Sequence, residues 1–585
     1  MKSGKCCFPQ DVICVDEQVN QPNITPEEDQ HVSSDEEETD ESVSDSDDDW
    51  ETMENLTDDD DGDDDDKEDV AQNSQECKSD DKKSNQQYEK KYIIFQSMLL
   101  KLFSMFCFIC KSGKPSVKIR ENGTMVVVTQ TCKDCGGSFQ WKSQPMIFNR
   151  YPAGNILMSF AMLMAGAKIS RFLLVCKHMG LSVISPRTYL YHQKKFLFPQ
   201  ILSFWNSYRE KLIKGLESKR NISWAGDGRF DSMGHSAKFG LYSMLCPTIL
   251  KIVHFELIQA NEAGSSNGME LLGAKRCFEN LKKDGIVIKK FVSDRHLGIA
   301  KWIRETQKET THLYDIWHVA KSVCKKVLAA SKQNGFEVLG KWIKSIRRHI
   351  YWCCTSTKEG FGELIVAKWK SFFYHVADMH EGHPNELSTK CSHGELGKRK
   401  WIKIGSEPYD KLCAIGLHGT LLGDMSRLSP DVQTSSLEGF HSLLNYWHPK
   451  MIAYSYLGTV CRTILAILHF NENVKREKRR TKQGEVSYHI TYPKFKLGDE
   501  VVRAIAVPPT YGYVEEMRGM LFSLSKEDIE AMATRMAEYT AKVPEPLNRK
   551  FTEKNSREEA IAKWNARKVM QTDLFPPCKF CHYSY

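Results

Sequence analysis

The chain has 585 residues, of which 41% are hydrophobic and 27% charged, with a formal net charge of +6. Its length and cysteine spacing exclude a small disulfide scaffold, and its longest uncharged stretch, residues 151–167, is too short for the about 20 residues that span a bilayer. The opening residues MKSGKCCFPQ contain no apolar signal segment. We therefore expect two or three globular domains in the cytoplasm or nucleus, with no membrane partner.

Residues 1–90 are polar and acidic. Residues 35–69 contain 22 Asp or Glu against one Lys, so this stretch carries −21 and the other residues carry +27. A segment this polar cannot bury enough apolar area to offset its ordering entropy, and the sequence predicts a disordered tail. The tail is either a contact for basic partners or a plain solubilising segment. The positive remainder suits a nucleic-acid partner, the alternative being a solvated basic face.

Two C-x-x-C pairs flank a predicted hairpin in residues 91–145. The first is Cys107 and Cys110, and the second is Cys132 and Cys135. This spacing is typical of a zinc ribbon, in which four thiolates complete the tetrahedron around one structural Zn²⁺.

Residues 146–220 have apolar residues at helical spacing and predict a helical lead-in that packs on the next domain or supports dimerisation. In residues 221–318 the patterns alternate in the order β-β-β-α-β-α-β. The second and third strands, FGLYSMLC and ILKIVHFELIQ, form an antiparallel meander, and the first helix ends before Gly285. IVIKKFVSD is the fourth predicted strand and HLYDIWH the fifth.

Three acids occupy distinctive positions in this order. Asp227 lies on the first strand, Asp294 ends the fourth, and Glu438 lies on a helix in residues 431–474. Residues 319–430 separate the last two acids, and a structureless loop of that length is improbable in a compact domain, so we expect an all-helical insertion. Together the patterns predict an α/β fold, a mixed RNase H-like sheet with a large helical insertion.

Acids in these positions suit phosphoryl transfer with Mg²⁺ or Mn²⁺. Two such ions activate the attacking oxygen and stabilise the leaving one, and Mg²⁺ prefers oxygen ligands. We expect Asp227 to bridge both ions, with Asp294 on one and Glu438 on the other; Glu472 is the alternative third acid. Residues at the predicted edge of this site are Asp231, Asp315 and His318, whereas His235 and Lys238 either meet phosphate or lie in a solvated turn.

Two further groups have metal-ligand chemistry. Within residues 353–393 the helical insertion holds Cys353, Cys354, His375, His380, His383, Cys391 and His393, and Cys391-x-His393 with an upstream His and Cys would complete a zinc tetrahedron. The alternative is a set of histidines satisfied in a helical core. Near the end of the chain, Cys578, Cys581 and His582 form half of a zinc knuckle.

Residues 475–585 are predicted to be basic and helical. The run KREKRRTK, residues 475–482, offers Lys475, Arg476, Lys478, Arg479 and Arg480 to phosphates. The same run is typical of a nuclear localisation signal, which indicates the nucleus, or of a solvated loop.

Four blocks resemble the catalytic blocks of eukaryotic DDE transposases, most closely the Kolobok-type group within a wider hAT-like superfamily. They are GDGRFDSMGHSAKFG, SDRHLGIAKWIRE, YDIWHVAKSVCKKV and QTSSLEGFHSLLNYWHPK, and the resemblance covers roughly residues 90–475. It implies metal-ligand roles for Asp227, Asp294 and Glu438, and it matches Asp315 and His318 to a C/D-x-x-H element of the superfamily. The first 90 residues depart from the family, since they are acidic where relatives commonly carry a zinc-coordinating DNA-binding domain.

Two functions are compatible with these patterns. The first is a DNA transposase that cleaves strands at element ends and joins them to target DNA, acting as a dimer or larger assembly and without a small-molecule substrate. The second is a domesticated, non-catalytic DNA- or chromatin-binding protein derived from one. Three converging carboxylates favour the enzyme, whereas the acidic first segment favours the binding protein.

Overall fold

The described part of the computed structural model is an α/β protein with two main sheets and a separate helical region. The described residues are 89–147, 150–217, 219, 222–232, 237–357, 360–394, 396–430, 434–492, 500–547 and 555–574. The predicted disordered tail therefore falls almost entirely outside them. No helix in these ranges is long and apolar enough to cross a membrane.

A three-stranded antiparallel sheet follows a short helix at the beginning of the described chain. Its elements are α1 (Gln96–Phe103), β1 (Ser116–Asn122), β2 (Met125–Thr131) and β3 (Ser138–Lys142), with β2 in the centre. Leu99, Phe103 and Val128 form its small core. Gly123, at φ +61°, turns β1 into β2, a conformation that favours glycine because it has no Cβ.

The predicted helical lead-in is present. It begins with the short strands β4 (Met146–Ile147) and β5 (Tyr151–Pro152). The helices that follow are α2 (Ala153–Met164), α3 (Ile169–His178), α4 (Pro186–His192), a short π-helix (Gln193–Leu197) and α5 (Phe198–Glu217). Phe160, Phe196 and Ile201 from this region pack into the main core against the larger sheet.

The larger sheet has the strand order β10-β9-β6-β7-β8. The elements are β6 (Ser223–Phe230), β7 (Phe239–Cys246), β8 (Lys251–Gln259), α6 (Ala260–Ala263), α7 (Ser266–Lys283), β9 (Lys290–Ser293), α8 (Leu297–Thr306) and β10 (Thr311–Tyr314). β6, β7 and β8 form an antiparallel meander, while β9 runs parallel to β6 and β10 parallel to β9. The predicted order of strands and helices is confirmed, with the short α6 in addition.

Both faces of this sheet are buried, which explains why all eight residues of β7 are inaccessible. Leu241 and Leu245 face a core shared with α5 and with two later helices, Ser435–Leu444 and Tyr456–Asn473, whereas Tyr242 and Met244 face α7 and α8. Two predicted strands are too long. β9 begins at Lys290 rather than residue 286, and β10 ends at Tyr314 because Asp315 starts a helix there.

A second core lies in the helical region. It is built from α9 (Ile316–Ser331), α10 (Glu337–Thr355), α11 (Gly362–His375), α12 (Glu407–Gly416) and α13 (Gly419–Met425). The prediction of an all-helical insertion is wrong for residues 376–406, whose described part contains neither helix nor strand apart from a bridge between Glu381 and Lys390.

The chain then returns to the large sheet through α14 (Ser435–Leu444) and α15 (Tyr456–Asn473). The Asn471 side chain bonds both the N–H and the C=O of Ile252, at 2.8 Å each, and so ties α15 to β8. The remaining elements are β11 (Tyr488–Thr491), β12 (Val501–Ala504), α16 (Gly512–Ser523), α17 (Lys526–Ala541) and α18 (Arg557–Leu574). The antiparallel pair β11–β12 corrects the expectation of a helical last region.

Candidate active site

Two of the predicted acids lie side by side on neighbouring parallel strands. Asp227 belongs to β6, and Asp294 directly follows β9. Ala225 pairs with Val292 in the parallel register, so two residues later Asp227 is level with Asp294. The two carboxylates also interact electrostatically, since burial and then the charge of Asp227 raise the pKa of Asp294.

The third predicted acid approaches from helix α14. Glu438 lies in the first turn and His441 three residues later, so the two side chains share one helix face. His441 Nδ1 is 3.4 Å from Asp227 Oδ2, and His318 Nε2 is 3.4 Å from Glu438 Oε1. The side chains of Asp227 and Glu438 are 15% and 21% exposed, so the site is reachable from solvent.

Contacts at the C-terminal end of α14 and along its inner face hold it in place. The Arg229 guanidinium, at the end of β6, donates to Asn445 Oδ1 at 2.7 Å and to the His448 carbonyl at 2.9 Å. Leu437 and Phe440, on the inner face of α14, are fully buried in the main core. The position of Glu438 is therefore set by packing and by a buried guanidinium.

The predicted edge residues Asp315 and His318 act from helix α9. Asp315 is its N-cap, and its Oδ1 accepts a hydrogen bond from Trp317 N at 2.8 Å. Its Oδ2 accepts from the backbone N–H of Thr434 at 2.8 Å and from the Thr434 hydroxyl. Because Thr434 immediately precedes α14, Asp315 links the helix of His318 to the helix of Glu438.

Negative charge is concentrated where these elements meet. Burial, followed by the charge of Asp227, raises the pKa of Asp294. Burial lowers the pKa of His318, but the contact with Glu438 and the charges of Asp315, Asp294 and Asp227 outweigh it, so the net shift is upward. Carboxylates that repel one another in a partly buried site suit a divalent cation, which would neutralise them.

Sequence reasoning missed a fourth carboxylate, Glu270. Burial, and then the charges of Asp294 and Asp227, raise its pKa to about 8. Glu270 lies on α7, and a Cβ on Gly228 would be 2.9 Å from its Cγ, so Gly228 leaves room for this side chain beside the strand. The sequence did carry a signal for Glu270. It precedes the buried residues Gly273, Ala274 and Cys277 by three, four and seven positions, so it lies on the apolar face of α7. His441 was also missed, although its spacing from Glu438 indicated a shared helix face.

The remaining predicted residues have other tasks. Asp231 Oδ1 accepts from Lys238 N at 2.9 Å and so links the end of β6 to the beginning of β7. Glu472, the alternative third acid, accepts hydrogen bonds from Thr510, Gly512 and Tyr513 at the beginning of α16. His235 lies outside the described residues.

The ligand oxygens of these carboxylates do not all lie within 4.8 Å of one another. Within the described ranges, two groups of three or more metal-ligand side chains have all their ligand atoms within 4.8 Å, and neither contains these acids. Carboxylates that share two ions about 3.5–4 Å apart do not need such mutual proximity.

The first of the two compact groups is the predicted set Cys107, Cys110, Cys132 and Cys135. Its sulfurs approach to 3.9 Å between Cys107 and Cys135 and to 3.7 Å between Cys110 and Cys132. Gln130 supports the backbone just before Cys107, since its amide donates to the carbonyls of Phe103 and Phe106. Four thiols this close can hold one tetrahedral Zn²⁺ with no position left for a substrate.

The second group is His375, His380, Cys391 and His393, in the helical region. The expected pairing with an upstream Cys is wrong, because Cys353 and Cys354 are buried in the apolar core of α10 and neither belongs to the group. His383 is not a member either. Cys578, Cys581 and His582 lie outside the described residues.

The predicted basic run borders β-structure. Lys478 and Arg480 form isolated bridges with Ala506 and Val486. The Arg476 guanidinium donates to the Val507 carbonyl at 3.0 Å, so it is engaged in the fold. Lys475, Lys478, Arg479 and Arg480 are exposed, and Arg480 donates to the Gly484 carbonyl at 2.8 Å. Any phosphate contact from this run would therefore come mainly from the exposed members.

No protein-family model matches this chain, and no curated protein matches it.

Proposed function

We propose that this protein is a metal-dependent DNA transposase of the DDE type, with an RNase H-like catalytic domain interrupted by the helical region. One observation carries the proposal: Asp227 and Asp294 are level on adjacent parallel strands, and α14 brings Glu438 to them after a long insertion. The sheet order β10-β9-β6-β7-β8, with one antiparallel meander and two parallel neighbours, supports the RNase H-like assignment.

In this proposal Asp227, Asp294 and Glu438 would hold Mg²⁺ or Mn²⁺, with Glu270 as an additional carboxylate beside them. Metal ions bound there would activate the attacking oxygen and stabilise the leaving oxygen of a DNA phosphodiester. His441 and His318 orient the carboxylates of Asp227 and Glu438, from 3.4 Å each. Outer partners of this kind position metal ligands and are worth about 10–100-fold in metal affinity or activity.

The other parts of the chain fit a DNA substrate. Exposed Lys475, Lys478 and Arg479 would contact phosphates, and the cysteine cluster would bind structural Zn²⁺. Joining two element ends requires that both be held together, so we propose a dimer or larger assembly that acts in the nucleus.

The test is strand cleavage and joining on DNA duplexes that carry the element's own ends, with Mg²⁺ or Mn²⁺. We expect metal-dependent products from the wild type and a loss of at least about 100-fold in Asp227→Asn, Asp294→Asn and Glu438→Gln. Such a loss corresponds to about 3 kcal/mol of transition-state stabilisation. Glu210→Gln is the matched control, because this acid is exposed on α5 and 67% accessible.

The alternative is a domesticated DNA- or chromatin-binding protein, favoured by the acidic segment at residues 35–69. It predicts salt-dependent DNA binding with no cleavage in any variant. Cleavage that is equally fast in all three acid variants would instead exclude the assigned triad.

A further inference from the structure

We propose that His375, His380, Cys391 and His393 bind one structural zinc ion that holds together the irregular part of the helical region. The four ligand atoms all lie within 4.8 Å of one another. His393 Nε2 is 3.1 Å from His375 Nδ1, and Cys391 Sγ is 3.6 Å from the same nitrogen. Three imidazoles and one thiolate form a ligand set that suits zinc, and four protein ligands leave no open coordination position.

The hydrogen bonds of the outer nitrogens leave the inner ones free for a metal. His380 Nε2 is 3.1 Å from Asp378 Oδ1, and His393 Nδ1 is 2.8 Å from the Gly394 carbonyl. If each imidazole donates its N–H in these contacts, its other nitrogen carries a free lone pair. These other nitrogens, which face the cluster, are His380 Nδ1 and His393 Nε2. Metal-bound histidines usually donate their second N–H to a carboxylate or a carbonyl in this way.

His380 Nδ1 supplies an independent indication. It is buried and, among the described residues, has no hydrogen-bond partner. A buried acceptor without a partner is destabilising, so a packed but metal-free histidine core is disfavoured here. The three imidazole rings lie edge to face with centroids 4.9–5.0 Å apart, which brings their nitrogens together instead of separating them by apolar groups.

The surrounding chain explains why a metal is needed. His375 ends α11, and the next helix, α12, begins at Glu407. Between them the backbone is held by a few hydrogen bonds, among them Cys391 N to the His380 carbonyl at 2.8 Å. A segment of about 30 residues without regular structure is unusual inside a compact domain. One zinc ion would tie His380, Cys391 and His393 of this segment to His375, the last residue of α11.

The same ion would complete the helical core. The His375 ring contacts Trp342 and Trp401, with centroids 5.8 and 5.7 Å away. The Trp342 indole donates to the Lys400 carbonyl at 3.1 Å, and Ile402 N donates to the Val376 carbonyl at 2.8 Å. The zinc centre therefore lies where the irregular segment rejoins the core of α10 and α11, which gives it a structural role.

The experiment is the zinc content of the full-length protein, measured by elemental analysis and native mass spectrometry. We expect two zinc ions per chain, one in the cysteine cluster and one in the His/Cys group. The double variant Cys132→Ser/Cys135→Ser should retain one, and Cys391→Ser should also retain one. Cys413→Ser, a half-buried cysteine of the same region outside the group, is the matched control and should retain both.

A second variant and a second readout keep the test decisive if Cys391→Ser folds poorly. His393→Cys preserves four ligands and should keep both zinc ions, and after Co²⁺ substitution its thiolate-to-metal absorption should rise above that of the wild type. Chelation should speed hydrogen exchange in residues 376–406. One zinc per wild-type chain that disappears completely in the Cys132/Cys135 variant would overturn the proposal. These readouts are independent of DNA cleavage.

Discussion

Replacement of Asp315 tests the link between the two helices that carry His318 and Glu438. Asp315 is 1% exposed, caps α9 through Trp317 N and accepts two hydrogen bonds from Thr434, which is itself fully buried. Asp315→Ala removes a helix cap, worth about 1 kcal/mol. It also leaves the buried Thr434 donors without a partner, which costs about 1–3 kcal/mol more.

We therefore expect a local destabilisation of about 3 kcal/mol, by the sum of these two effects. The assay is hydrogen exchange on peptides covering 316–331 and 435–444, since exchange reports the free energy of local opening. Asp315→Asn retains one acceptor oxygen and should lower the free energy of local opening by about half as much as Asp315→Ala. The control Ser455→Ala removes only a half-buried cap, on α15, and should cost about 1 kcal/mol.

A destabilisation by Asp315→Ala no larger than that by Ser455→Ala would contradict this link between the helices. Faster exchange in α9 with α14 still protected would contradict it as well. Either result would mean that Thr434 does not depend on Asp315. Faster hydrogen exchange in both α9 and α14, together with slower DNA cleavage, would support a positioning role for Asp315.

Two other predictions concern charge. The pKa of Glu270 is raised from 4.5 to about 8, so in EDTA the folded protein binds this proton more tightly than the unfolded chain does. The stability of the folded protein should therefore fall as the pH rises from about 4.5 to about 8. Glu270→Gln should remove that part of the fall. Thermal unfolding at pH 5, 7 and 9 measures this. Replacing Lys475, Lys478 and Arg479 by Gln should lower the magnitude of the slope of log affinity for duplex DNA against log salt by about 2–3, since each phosphate contact contributes about 0.9.

Each prediction has a control. Added Mg²⁺ should reduce the pH dependence of the wild type more than that of Glu270→Gln, and parallel pH profiles for the two proteins in EDTA would contradict the assignment of Glu270. For DNA binding, Lys526→Gln changes an exposed lysine on α17 and should leave the slope unchanged. An unchanged slope in the triple variant would remove the basic run from the interface.

The elements around Asp227 and Asp294 were predictable because their patterns are local. β7 and β8 alternate or run as apolar strands bounded by turn residues, and α7 has apolar residues at helical spacing followed by Gly285 at φ +78°. The fourth strand was predicted too long because β-branched residues continue outside the hydrogen-bonded ladder. The fifth was predicted too long because Asp315 was not recognised as a helix cap.

By itself the sequence indicated which residues carry charge and thiols, where strands and helices alternate, and that the two cysteine pairs of the ribbon belong together. The tertiary structure decided which distant residues meet. Glu270, His441 and Thr434 acquire their significance only through packing across the sheet and between α9 and α14. The fold brings His380 into the compact group with His375, Cys391 and His393, whereas Cys353 is buried in the core of the helical region. Such contacts depend on the relative positions of whole elements, which local spacing does not specify.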